Sequence, residues 1–107
     1  METIDDLKKK FIQYVNEQSS AISEGNGKRA NRFHKKIQDL HLKILNLYDN
    51  DVFKEFLDSE DDNIKLWASC FCKEIYPDIT KKNLQGLINS SEPMISLSAR
   101  YHLESLK

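Results

Sequence analysis

Leu57-Asp58-Ser59-Glu60-Asp61-Asp62-Asn63-Ile64-Lys65-Leu66-Trp67-Ala68 aligns without a gap on Ile88-Asn89-Ser90-Ser91-Glu92-Pro93-Met94-Ile95-Ser96-Leu97-Ser98-Ala99, 31 residues further on. Ser59/Ser90, Ile64/Ile95, Leu66/Leu97 and Ala68/Ala99 are identical. Leu57/Ile88, Phe56/Leu87, Phe53/Leu84 and Ile75/Leu106 keep apolar character at the same offset. A period of this length is that of stacked helical hairpins. Each unit in such an array cannot bury its apolar face alone, so it stacks on its neighbour and leaves an outer surface suited to docking a macromolecule. The pattern predicts an all-α chain of five to six helices, with Leu57, Ile64, Trp67, Phe71, Ile88 and Ile95 buried between hairpins. Trp67, central in its helix, reads as core.

Working outward, Thr3 with Asp5 and Asp6 reads as an N-cap followed by an acidic first turn. Ile4, Leu7, Phe11, Tyr14/Val15, Gln18 and Ile22 then recur at helical spacing to about Glu24. Gly25-Asn26-Gly27 ends that helix with residues that tolerate positive φ. Ala30, Phe33, Ile37, Leu40, Ile44 and Leu47/Tyr48 trace a second long stripe, giving an antiparallel hairpin over 1–48. Asp49-Asn50-Asp51 breaks it. Val52, Phe53, Phe56 and Leu57 make a short third helix, and a fourth starts near Asp61 or Asp62. That helix carries Ile64, Leu66, Trp67, Ala68, Cys70, Phe71 and Ile75, apolar around most of its circumference, and stops at Pro77. Ile79, Leu84, Leu87 and Ile88 form the fifth. Ser90 or Ser91 caps the sixth, with Pro93 in its first turn, where a missing N–H costs nothing; Met94, Leu97, Ala99, Tyr101, His102, Leu103 and Leu106 fill it. The repeat units are expected at 52–76 and 83–107, within one domain of 107 residues.

Composition agrees with a helix-rich protein: 31% charged, 39% hydrophobic, three Gly and two Pro. The start, Met1-Glu2-Thr3-Ile4-Asp5-Asp6, lacks the order of a signal peptide, and no apolar run nears the roughly 20 residues that span a bilayer. A cytoplasmic location with no membrane partner is the expectation. Charge is uneven. Residues 1–48 hold nine Lys/Arg against six Asp/Glu, and residues 49–107 hold seven against eleven. Within 49–78, nine carboxylates face only Lys54, Lys65 and Lys73. Such a block speeds encounter with a basic partner and repels nucleic acid. It also suits helix starts, where the macrodipole favours carboxylates; the two readings are compatible.

Candidate chemistry is sparse. Cys70 and Cys72 sit one residue apart on a helix, so they point away from each other and read as two reduced, buried thiols. His34 and His41 share a face but lack a third ligand at metal spacing. Asp58, Glu60 and Asp62 alternate as in a calcium loop, yet Asn63 and Ser69 stand where Gly and Glu are needed. No Ser/His/Asp order or phosphate loop can be assembled, so neither enzymatic activity, a metal nor another cofactor is expected. The basic run Lys28, Arg29, Arg32, His34, Lys35, Lys36 could touch phosphates. With no aromatic interleaved among its charges, a solvated polar face is the favoured reading.

Ile64-Lys65-Leu66-Trp67-Ala68 behind the acidic turn Ser59-Glu60-Asp61-Asp62-Asn63 resembles the start of the second helix of a HEAT repeat. With the long hairpin containing Asn31-Arg32-Phe33-His34-Lys35-Lys36-Ile37, the chain resembles a family of small bacterial HEAT-like domains related to immunity proteins encoded beside polymorphic toxins. The resemblance implies a short right-handed α-α superhelix. It also implies a protein that binds and neutralises a cognate toxin domain, a nuclease in the first instance, by protein-protein contact. Joined to the charge map, it places the contact at Asp58, Glu60, Asp61 and Asp62 with Lys65 and Lys73. The second unit departs from the pattern at Ser96 and Ser98. A general interaction adaptor, or a nucleic-acid binder using the second helix, are the alternatives.

Overall fold

The computed structural model describes residues 3–48 and 50–106; for Asn50 the description covers the backbone only. Asp49, part of the expected helix break, lies outside that range. Among the described residues there are six helices and no strand: α1 (Ile4–Ser23), α2 (Gly27–Leu47), a 3-10 helix (Asn50–Asp58), α3 (Asp62–Phe71), α4 (Pro77–Leu87) and α5 (Pro93–Ser105). The all-α class and helix number agree with the sequence pattern. None of these helices is long and apolar enough to cross a membrane. The chain divides into two compact units, Met1–Val52 and Phe53–Lys107.

The first unit is the α1/α2 hairpin. Thr3 caps α1 through a reciprocal pair, its hydroxyl accepting from the Asp6 N–H at 3.2 Å while the Asp6 carboxylate accepts from the Thr3 N–H at 3.1 Å. The turn between the helices needs Gly25, whose φ is +73°. Asn26 then caps α2 by accepting from the Arg29 N–H at 3.1 Å. Leu7, Phe11, Val15, Gln18 and Ala21 are buried on α1, and Ala30, Ile37, Leu40 and Ile44 on α2. The stripes are shorter than the spacing suggests. Ile22 is exposed where Ala21 is buried, and Leu47 and Tyr48 stay in solvent.

In the second unit, α3, α4 and α5 pack on one another around Leu66, Leu84, Leu87, Ile95 and Ala99, with Cys70, Ile88, Leu103 and Leu106 against them. The short third helix is a 3-10 segment that begins in the first unit, where Val52 is buried, and continues into the second, where Phe53, Phe56 and Leu57 are buried. α3 ends at Phe71, well before Pro77. The Cys72 carbonyl accepts from both the Ile75 and Tyr76 N–H groups, at 3.1 and 2.7 Å, closing a turn. Tyr76, preceding a proline, is disfavoured in the helical region. Ile75 is therefore exposed and outside the helix. The second hairpin begins at Pro77, earlier than the 31-residue offset implies.

Of the six residues expected between hairpins, Leu57, Ile64 and Ile95 are buried, whereas Trp67, Phe71 and Ile88 are half-buried. The indole leans on Phe71 at 5.7 Å between ring centres, and Phe71 in turn covers the fully buried Phe53 at 5.0 Å. Trp67 is thus half-buried against Phe71, while its helix neighbours Leu66 and Ala68 are buried.

Candidate functional site

The acidic turn is built by helix-start chemistry. The Ser59 hydroxyl accepts from the Asp61 N–H at 3.1 Å, and the Asp61 carboxylate accepts from the Asn63 and Ile64 N–H groups at 2.9 and 3.2 Å. The same turn recurs 31 residues later. The Ser90 hydroxyl accepts from the Glu92 N–H at 3.2 Å, and Glu92 is the N-cap residue with φ −93° and ψ 114°, against −81° and 113° at Asp61. Glu92, not Ser90 or Ser91, holds the cap position, and its side chain makes no capping bond. Ser90 also donates to the Asp62 carboxylate at 2.9 Å. That bond sets the two turns side by side, so Asp61 and Asp62 at the N-terminal end of α3 and Glu92 at that of α5 share one edge, where the helix dipoles favour carboxylates, and Asp58 and Glu60 lie in the segment that leads into it.

The fold uses these carboxylates unequally. Asp61 caps α3 and Asp62 braces the neighbouring turn, so both have structural work irrespective of any partner. Asp58, Glu60 and Glu92 are exposed. Lys65 lies one turn along α3 and is half-buried. Lys73 is not brought to this edge, since it follows the opposite end of α3, roughly 15 Å away at about 1.5 Å per residue. Glu92 was not singled out from the sequence, although the repeat places it at the position of Asp61. Asp61→Ala should cost about 1 kcal/mol, the worth of an N-cap, in a urea titration followed by circular dichroism. A cost below about 0.3 kcal/mol would mean that solvent satisfies those N–H groups equally well.

Lys73 instead lines a small cavity of about 10 Å³ with Cys70, Thr80, Leu84, His102, Ser105 and Leu106, the room of one water molecule. Burial pushes the Cys70 thiol up to about 11, against the opposing pull of Lys73. Burial, aided by Lys73, pushes His102 down. A protonated thiol beside a neutral imidazole in so small a space is not an activated nucleophile. Cys70 and Cys72 are not in a disulfide, and they are half-buried and buried respectively. His34 is exposed and its Nδ1 pairs with Gln18 Nε2 at 3.3 Å, while His41 is half-buried. Among the described residues no three His, Cys, Asp or Glu side chains are grouped to hold a metal.

The basic face of α2 corrects the expectation that no aromatic interleaves with its charges. Phe33 and Tyr14 lie 6.0 Å apart across the hairpin. Arg29, Arg32 and Lys36 sit over the Phe33 ring at 5.9, 5.7 and 5.0 Å, and Lys36 also over Tyr14 at 5.5 Å. Arg29 pairs with Glu17 and, at 3.1 Å, with Glu24. Its hydrogen bond to Glu17 raises its affinity for the proton. These cations cover the hairpin's own aromatics. The chain matches no family model, and comparison with curated proteins and with solved structures finds no match.

Proposed function

We propose that this chain is a binding protein that neutralises a basic toxin domain by docking it on the acidic edge, as an immunity protein does in the cytoplasm where a delivered nuclease meets its substrate. The observation that carries the reading is the Ser90–Asp62 hydrogen bond, which brings the turn that ends at Glu92 beside the carboxylate cluster 58–62. A nucleic-acid-cleaving domain is basic because it must hold phosphates, and an acidic edge both attracts it and occupies its anion-binding groove. The resemblance to HEAT-like immunity proteins, carried by Ile64-Lys65-Leu66-Trp67-Ala68 and the preceding acidic turn, supports the same reading.

The test is association with the toxin domain encoded in the adjoining gene, with a variant carrying Asp58→Lys and Glu60→Lys. Asp61 and Asp62 are left intact because they hold the turns together. The expected result is an association rate lower by about 10-fold at low salt, converging with wild type at high salt, and a dissociation rate changed far less. Equal association at low salt would remove the edge from the contact. Tight binding of single-stranded RNA, lost on Arg32→Glu and Lys36→Glu, would move the function to α2.

A further inference from the structure

The last helix carries two apolar faces, and only one of them is covered. Ile95 and Ala99 are buried in the core formed with α3 and α4. On the opposite side Met94, Leu97 and Tyr101, at the spacing of one helix face, are 58%, 64% and 71% exposed. The internal repeat says what such a face is for. Leu97 and Tyr101 occupy the positions of Leu66 and Cys70 on α3, just as Ile95 and Ala99 occupy those of Ile64 and Ala68. On α3 the Leu66 and Cys70 face is covered by Leu84 and Leu87 of α4 together with α5. Apolar side chains exposed together on one helix face mark an interaction surface, and on α5 this face is apolar. The stripe begins at Met94, two residues after Glu92, so it is continuous with the acidic edge.

We propose that Met94, Leu97 and Tyr101 are the anchor of the interface whose rim is the acidic edge, and that the occupant is a basic amphipathic helix of the partner. That helix lies along α5 as α4 lies along α3, presents aliphatic residues at the i and i+3 spacing of Leu84 and Leu87, and carries Lys or Arg where it reaches Glu60 and Glu92. Deeply covered aromatic and aliphatic side chains hold a complex together, whereas rim charges govern encounter. This inference rests on the proposed function, and the two make separable kinetic predictions.

The experiment measures association and dissociation of the same toxin domain with three proteins: wild type, the Asp58→Lys/Glu60→Lys variant, and a Leu97→Glu/Tyr101→Ala variant. A Leu97→Met/Tyr101→Phe variant serves as the conservative control. Both α5 residues are exposed, so far-UV circular dichroism and thermal melting should match wild type. The expected result is a dissociation rate about 30-fold faster in the Leu97→Glu/Tyr101→Ala variant, with association at low salt nearly unchanged and wild-type kinetics in the conservative control. Unchanged dissociation in that variant, with slowed association in the acidic-edge variant, overturns the anchor while the proposed function stands. Wild type that fails to bind the toxin domain overturns both. Sedimentation velocity closes the remaining route: a concentration-dependent dimer dissolved by Leu97→Glu would assign the face to a second copy of this chain and overturn the proposal.

Discussion

Phe53→Ala is expected to destabilise the protein by about 3–5 kcal/mol, the range for emptying a buried phenylalanine site. Phe53 has no exposed surface, and its ring meets Phe71 at 5.0 Å with the planes tilted by 59°. Truncation therefore removes both burial and an aromatic contact, and leaves a void in the packing. Trp67→Ala should cost distinctly less despite the larger side chain, since the indole is half-buried where Phe53 has no exposed surface. The measurement is urea unfolding followed by circular dichroism at the helical band, which does not depend on the single tryptophan. A Trp67→Ala cost equal to or above that of Phe53→Ala would place the indole at the centre of the core.

The second large effect is expected at Asn83. Its side-chain amide donates to the Leu57 carbonyl at 3.0 Å and to the Ser69 hydroxyl at 3.1 Å. Thr80 donates to the Ser69 carbonyl at 2.9 Å from the same helix. This polar seam ties α4 to α3 and to the end of the 3-10 segment, and Ser69 and Thr80 have no exposed surface. Asn83→Ala strands two acceptors at once and should cost about 1–3 kcal/mol. Asn83→Asp should cost more at pH 7, because a carboxylate would face the Leu57 carbonyl with no proton to donate. The sign of its pH dependence follows. A carboxyl opposite an acceptor binds its proton more tightly in the folded state than in the unfolded one. The penalty is therefore full above that raised folded-state value and shrinks as pH falls toward the ordinary carboxylate range. A Asn83→Asp variant that gains no stability relative to wild type between pH 7 and pH 4.5 would show that water, not Asn83, satisfies the Leu57 carbonyl.

Much of the architecture was legible in the residues. Helical spacing marked α1 and α2, Gly25-Asn26-Gly27 marked the turn between them, and Thr3, Asp61 and Pro93 marked helix starts, because each acts through its own few neighbours along the chain. The 31-residue echo was equally informative: it located the second capping turn, where Ser90 and Glu92 repeat the backbone of Ser59 and Asp61. Local pattern could not say which apolar face of a helix finds a neighbour. Ile75, Ile79 and Leu97 carry the same signal as Leu84 and Leu66, yet they are exposed, because exposure depends on which element is packed alongside and that is settled across the chain. Nor could it show that Ser69, Thr80 and Asn83 form a buried seam, since each reads as an ordinary surface residue until α4 is laid against α3. At the candidate site the sequence determined that carboxylates gather near Asp58–Asp62. Tertiary structure decided that Asp62 is spoken for by Ser90, that Lys73 lines a cavity with Thr80 and His102, and that Glu92 joins the edge. The reason is that hydrogen bonds between turns, unlike helical periodicity, exist only once residues far apart in the chain have been brought within about 3 Å.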